Sequence, residues 1–215
     1  MRPSESQESQ DRIRSGLPEL ETTVELTAAG FSKPISEELR RDVAQHLVGT
    51  RTRTIEHDRE TVGYAVFDDF NFIIGENEQT SLIYLRGIII APEYQGRHIA
   101  GRVIDDVTSG KPFDFFGLRT QSSIMYAAVE RRFEEVYPAL RNEPVPRDVR
   151  VVGQSLATAI DSTFPLHEGA YGGPLYGIEP QHHDAEYQAD FDKVCPDFER
   201  GDAILCIARG LRNAE

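Results

Sequence analysis

Hydrophobic and polar positions along the chain switch between two periods, and the switches mark its elements. Residues 19–26 alternate weakly and predict a first strand. Ser36 then precedes Glu37, Glu38 and Leu39, and Val43, Ala44 and Leu47 recur at helical spacing, so a helix capped by Ser36 is expected. Its acidic residues lie in the positive first turn, and Gly49 ends it. Two β-branched stretches, residues 50–56 and 61–67, flank the polar His57-Asp58-Arg59-Glu60 and predict a hairpin. The most apolar run, Ser81 to Ala91, has the length of a buried strand. Gly87 within it signals a bulge or a close backbone approach.

Pro92 stops that strand, and helical periodicity returns with Ile99, Val103, Ile104 and Val107, closed by Gly110 and Pro112. A short strand, residues 113–119, follows. Thr120 is positioned to cap a further helix carrying Ile124, Met125, Ala128, Val129 and Phe133. Beyond Pro138, prolines and glycines break the pattern into short pieces, with one helix expected over residues 148–160 and a last strand over 203–208. No internal repeat or separating linker is visible. The order predicts a mixed α/β layer architecture, a single domain over residues 16–215 with an extended region at about 141–199. Residues 1–15 are polar, of mixed charge and without an apolar core, and read as a loosely ordered tail rather than a signal peptide.

Charge changes the picture more than composition does. At 39% hydrophobic and 27% charged the chain is ordinary, but 23 Lys plus Arg face 36 Asp plus Glu, a net charge of -13. A basic surface for nucleic acid or anionic lipid is not expected. The only lysines are Lys33, Lys111 and Lys193. An acidic, lysine-poor, halophile-like surface suits a salt-rich cytoplasm; a genome rich in arginine codons is the other reading. No apolar run approaches the roughly 20 residues that cross a bilayer, and a cytoplasmic location is expected. Cys195 and Cys206 are too few for a disulfide framework and wrongly spaced for zinc.

Candidate chemistry concentrates between Ile88 and Gly110, where a buried strand runs through a turn into a helix. The first amides of such a helix have no internal partner, and together with the macrodipole they favour an anion. Gly96 lets the backbone approach a ligand, while Arg97 and Arg102 add positive charge to an acidic chain. In high salt, where the Debye length falls to about 3 Å at 1 M, close amide contacts would outweigh net charge. A dinucleotide-binding Gly-x-Gly-x-x-Gly and a P-loop Gly-Lys-Ser/Thr are both absent.

The segment Ile90-Ala91-Pro92-Glu93-Tyr94-Gln95-Gly96-Arg97-His98-Ile99-Ala100 resembles the acyl-CoA signature of the GNAT N-acetyltransferase superfamily. That signature reads Gln or Arg, two residues, Gly, one residue, then Gly or Ala. Gln95 and Ala100 match its ends, and His98 stands where the family usually has glycine. Either a shifted backbone path or an imidazole near the phosphates would follow. The resemblance covers roughly residues 36–138 and implies a GNAT-like fold, a mostly antiparallel twisted sheet flanked by helices. It further implies acetyl-CoA as co-substrate, its pyrophosphate cradled from Gln95 to Ile99 and Ala100, with Gly101 and Arg102 in the first helical turn. Gln121 and Ser122 are implied beside the pantetheine arm.

The implied reaction is direct attack of an amine on the thioester. Backbone amides near Ile88, Ile89 and Ile90 would stabilise the oxyanion, and a bulge at Gly87 would open that edge. A thiol pKa near 8.5 makes the departing thiolate a tolerable leaving group. In many relatives a tyrosine protonates it. Tyr126 is the candidate here, although counting back from Phe133 lands on Ala128, and simple packing is the competing reading. Where relatives place a glutamate on the central strand, this chain has Tyr84 and Arg86. Arg86 suits either an acidic acceptor or an ion pair with a carboxylate. His182, His183 and Asp184, with His167 upstream, lack the spacing of a zinc site and read as a polar loop. The stretch Tyr171-Gly172-Gly173-Pro174-Leu175-Tyr176 fits a lid over the acceptor, a homodimer contact or padding equally. The resemblance implies a small-molecule or peptide amine as acceptor. The rival readings are an acyl-CoA sensor that has lost catalysis and a structural protein whose turn is empty.

Overall fold

A computed structural model describes residues 11–75, 78–110, 112–141 and 143–212. In chain order the elements are β1 (Asp11–Ser15), α1 (Leu20–Phe31), α2 (Glu37–His46), β2 (Arg51–His57), β3 (Glu60–Ile74), β4 (Glu78–Ile90), α3 (Ile99–Ser109), β5 (Phe115–Thr120), α4 (Ser123–Glu130), β6 (Phe133–Tyr137), α5 (Arg147–Ala159), β7 (Leu166–His167), α6 (Ala185–Val194) and β8 (Ala203–Leu211). The strands form one sheet in the order β1-β2-β3-β4-β5-β8-β6, with β7 also on β8. The pairings are antiparallel except between β4 and β5, which run parallel.

Most expected elements are present. Ser36 caps α2 by accepting the Leu39 amide at 3.1 Å. The hairpin is β2–β3, and the apolar run is β4. The helices from Ile99 and over 147–159, and the final strand, also stand where periodicity put them.

Residues 20–31 correct the expected first strand: they form helix α1. Thr23, Val24, Thr27 and Ala28 share its buried side. The β-branched threonines are accommodated because their hydroxyls bond back one turn, Thr23 to the Glu19 carbonyl (2.9 Å) and Thr27 to the Thr23 carbonyl (2.6 Å). Within the expected tail, residues 1–10 lie outside the described residues, but Asp11–Ser15 is strand β1, which covers the outer edge of β2. Phe133 begins β6 instead of ending a helix, and the cap of α4 is Ser122, not Thr120. Asp184 of the polar histidine loop caps α6, a helix that periodicity missed.

Two layers of helix cover the sheet. On one face α3, α4 and α6 bury Ile99, Val103, Val129 and Phe191 against Leu85, Phe116 and Cys206. On the other, α5 buries Val152 and Leu156 against Leu82, Tyr84 and Leu205, while α1 packs Leu26 onto Tyr64 and Ile89. β8, threaded between β5 and β6, is buried from Ala203 to Ala208 and serves both faces.

Candidate functional site

The site begins with a fault in β4. Val66 pairs with Gly87 and Phe67 with Leu85, so Arg86 is an extra residue, a β-bulge. The bulge reverses which side chains face which helices. Before it, Ile83 and Leu85 point to the α3–α4 side; after it, Ile88 and Ile90 do, and Ile89 turns to α1. The bulge expected at Gly87 is therefore present, one residue earlier than the glycine.

The same fault ends the pairing with β5. The parallel ladder runs only from Leu82–Phe115 to Leu85–Leu118, and Arg119 and Thr120 pair with β8 alone. Beyond Leu85 the β4 edge facing β5 has no strand partner among the described residues, leaving alternate amides and carbonyls available. A cavity of about 440 Å³ opens there. It reaches through the sheet, since its lining includes Tyr64 and Ile89 of one face and Leu85, Leu118 and Met125 of the other. A Cβ built on Gly87 would touch nothing within 4 Å, so the space beside the bulge is open.

Past β4, a 3-10 turn (Pro92–Tyr94) leads to the exposed Gln95–His98 turn. The Gln95 side chain donates to the Ile90 carbonyl (2.9 Å), and Arg97 lies over the Tyr94 ring (4.8 Å) while donating to the Glu93 carbonyl. Gly96 and His98 both have positive φ, +76° and 59°. His98 therefore adopts the left-handed conformation that glycine takes without cost. It caps α3 without a side-chain bond. The first intrahelical bond at this end runs from the Arg102 amide to the His98 carbonyl (3.2 Å), so the amides of Ile99, Ala100 and Gly101 point out of the helix end. Their side chains play other parts: Ile99 is core, and Gly101 makes room for Arg132, whose Nε donates to the Gly101 carbonyl (2.8 Å) and to Asp105 (2.8 Å). Such a helix end can hold an anion through backbone donors.

The remaining sequence candidates are placed differently. Tyr126 is wholly buried among Phe191 and its neighbours, and its hydroxyl donates to the Pro138 carbonyl at 2.7 Å. It does not line the cavity, which matches the packing reading. Gln121 and Ser122 are engaged internally. The Gln121 amide donates to the Phe198 carbonyl and its oxygen accepts the Leu175 amide, both at 2.9 Å. Arg86 is tied to Asp68 by Nε at 2.8 Å and by a terminal nitrogen at 2.5 Å, the ion-pair alternative of the two. His182 lies against His183 and Tyr187, and His167 bonds Ser162 (2.9 Å). Among the described residues no three His, Cys, Asp or Glu side chains gather to hold a metal.

Further lining residues come from the segment that the sequence left open between a lid, a homodimer contact and padding. The segment 171–176 closes one side of the cavity with Tyr171, Leu175 and Tyr176. Lys33 holds it through the Pro174 carbonyl (2.9 Å), and Tyr176 packs edge-on to Phe31. Burial pushes the hydroxyls of Tyr64, Tyr171 and Tyr176 above the usual tyrosine range; the Thr27 hydroxyl acts against this at Tyr64, and Arg119 at Tyr171. All three stay protonated at neutral pH. Arg119 lies over the Tyr171 ring, 5.1 Å from its centre. Only the chain's long-range folding brings residue 171 beside residue 119.

No family model matches the chain, and no curated protein matches it. Solved structures do. The ribosomal-protein-S18-alanine N-acetyltransferase of Escherichia coli is 13% identical, with 96% of this chain and 97% of that one covered at a TM-score of 0.50. A GCN5-related N-acetyltransferase of Kribbella flavida is 20% identical over 55% of this chain, at a TM-score of 0.41, and this chain spans 32% of its length. A GNAT family acetyltransferase of Brucella melitensis, solved in complex with acetyl-CoA, is 20% identical over 51% of this chain and 75% of its own, at 0.37. The near-complete mutual coverage of the Escherichia coli enzyme settles the architecture: this chain has the fold of the GNAT N-acetyltransferases.

Proposed function

We propose that the protein transfers an acetyl group from acetyl-CoA to an amine by direct attack. The observation that carries this reading is the bulge at Arg86, which parts β4 from β5 and opens a cavity through the sheet beside an unpaired strand edge. On this reading the pyrophosphate sits at the amides of residues 99–101 and the turn around Gly96. The pantetheine arm extends along the free edge of β4 as an added strand would, exchanging hydrogen bonds with the main chain. The thioester then lies at the bulge, where an amide beyond Arg86 stabilises the tetrahedral oxyanion.

The amine approaches from the α1–α2 side. It attacks the thioester carbonyl carbon, a C–N bond forms, and the C–S bond breaks as the tetrahedral intermediate collapses. The amine gives up a proton through water to a carboxylate; Glu38 and Asp42, one helical turn apart on α2, are the carboxylates that line the cavity. The thiolate takes its proton from water, and the tyrosine hydroxyls of the wall, Tyr171 and Tyr176, held above the usual range by burial, serve as hydrogen-bond donors to the sulfur rather than as acids. No strong acid is needed, because a thiol pKa of about 8.5 already makes a fair leaving group.

The sensor reading draws support from the burial of Tyr126 away from the cavity. One experiment separates the two. The protein is incubated in high salt with acetyl-CoA and a panel of amines, following thiol release and thermal stability. Acceptor-dependent thiol together with stabilisation supports transfer, stabilisation alone supports sensing, and no shift at millimolar coenzyme sinks both.

A further inference from the structure

Arg119 stands near the end of β5 where the cavity meets a neighbouring hollow of about 570 Å³, and both spaces are lined by Arg86 and Arg119. The two arginines differ in what they hold. Arg86 is neutralised by Asp68. The Nε of Arg119 is buried with no hydrogen-bond partner, and among the described residues no carboxylate lies within ion-pair distance of it. Elsewhere in this acidic chain Arg51, Arg53, Arg132, Arg200 and Arg209 each hold a carboxylate.

A guanidinium stays charged at any physiological pH, and a buried donor left unpaired costs free energy that a ligand acceptor would recover. The Tyr171 ring under Arg119 holds the guanidinium by its face and its hydroxyl meets the Arg119 side chain, but Nε is still left without an acceptor. The guanidinium plane is the one in which a carboxylate or phosphate binds through two parallel bonds. The side of the sheet matters as well. Gly117, two residues earlier and on the same side of β5 as Arg119, abuts Leu156 of α5. The α3 helix end packs with Leu118 on the opposite face. Arg119 therefore faces away from the turn at Gly96 and into the part of the cavity left for the acceptor.

We propose that Arg119 selects the acceptor by binding an oxyanion, carboxylate or phosphate, carried a few bonds from the attacking nitrogen. The role of that ligand as acceptor rests on the acetyl-transfer reading; its binding at Arg119 does not. The test uses amines in matched sets: amino carboxylates against their carboxamides, aminoalkyl phosphates against amino alcohols, and simple diamines. Thiol release gives kcat/KM. Calorimetry with CoA present and absent gives the affinity of the N-acetylated carboxylates, phosphates and their neutral partners, which needs no turnover.

The anionic members are expected to lead their neutral partners by at least about tenfold in kcat/KM. The stronger of the two anionic sets names the group. Arg119→Gln should bring that ratio below about threefold by raising the acceptor KM, with the acetyl-CoA KM unchanged, and Arg119→Lys should keep part of it. Stabilisation by acetyl-CoA reports that each variant is folded, and the lysine variant decides if the glutamine one is not. Parity between anionic and neutral amines, a preference for diamines, or an unchanged ratio in Arg119→Gln overturns the proposal. If acetyl-CoA binds and no amine is acetylated, the transfer reading fails by itself. Calorimetry then still decides: anion binding lost in Arg119→Gln supports the site, and equal or absent binding overturns it.

Discussion

The side-chain oxygen of Gln121 accepts the amide of Leu175, 54 residues further along the chain, at 2.9 Å. Gln121 is almost fully buried, and its amide nitrogen is spent on the Phe198 carbonyl. One side chain after β5 thus holds both the segment that walls the cavity and the loop leading into β8. Gln121→Ala removes both bonds and leaves a buried amide and carbonyl in want of partners. A loss of about 1–3 kcal/mol is expected, with faster hydrogen exchange at residues 171–176 while the β2–β3 hairpin keeps its protection. Unchanged exchange there would mean that Lys33 and Tyr176 hold the wall unaided.

Gly96→Glu places a carboxylate beside the outward amides of α3. Space is not the obstacle, since a Cβ there meets nothing within 4 Å; charge and the φ of +76° are. Affinity for acetyl-CoA should fall at least about tenfold. Gly96→Ala isolates the backbone cost of about 1 kcal/mol and should bind the coenzyme more tightly than Gly96→Glu. Equal affinity in the glutamate variant and the parent would move the pyrophosphate site elsewhere.

His98→Gly tests whether the imidazole or only the backbone path matters. With φ at 59° histidine bears a strain of order 1 kcal/mol, partly offset in the variant by the greater freedom of unfolded glycine. Thermal unfolding should show equal or slightly higher stability, and acetyl-CoA should bind within about threefold of the parent if backbone amides dominate. A tenfold weaker complex would assign the imidazole to the phosphates.

Tyr126→Phe removes the hydroxyl bonded to the Pro138 carbonyl and leaves the ring against Phe191. Stability should drop by about 0.5–1.5 kcal/mol, with kcat nearly unchanged. A fall in kcat of a hundredfold at intact coenzyme affinity would restore this tyrosine to the reaction. Double substitution of Tyr171 and Tyr176 by Phe is the matching positive test and should lower kcat more than Tyr126→Phe does.

Acid sensitivity should trace in part to Asp202, a buried carboxylate bonded to Arg200 at 2.6 and 2.7 Å and to the Gly169 amide. The Arg200 guanidinium holds its pKa below the usual aspartate value. A folded-state pKa below the unfolded one adds stability above about pH 4, and that stability is lost as pH falls through the depressed value. Asp202→Asn should therefore be less stable than the parent at pH 7 and show a shallower decline below pH 4. Parallel stability curves would remove Asp202 from the acid transition.

Local chemistry was legible wherever neighbouring residues decide the outcome. The Ser36 cap needs only the Leu39 amide three residues on, the β2–β3 hairpin needs only two β-branched runs and a polar turn, and the turn at Gln95–Ala100 is bounded by its own strand and helix. Local reading failed where a long-range partner overrode the pattern. Alternation at residues 19–26 looked like a strand, but burial against β3 and β4 rewarded the helical face of Thr23, Val24 and Thr27, and Thr27 meets the Tyr64 hydroxyl at 2.7 Å.

The sequence by itself therefore determined the strand–turn–helix around Gly96 and the elements beside it, because hydrogen bonds within a few residues specify them. Tertiary structure decided what those elements enclose. The bulge at Arg86 becomes an opening only because β5 stops pairing with β4 at Leu118 while its other edge stays paired to β8, whose residues come more than 80 positions later. The cavity gains its wall only when residues 171–176 fold back onto Gln121 and Phe31. Among the described residues Arg119 is left without a carboxylate for the same reason. Ion pairs and ring contacts act over a few ångströms in space, and which residues come that close is set by packing, not by their separation along the chain.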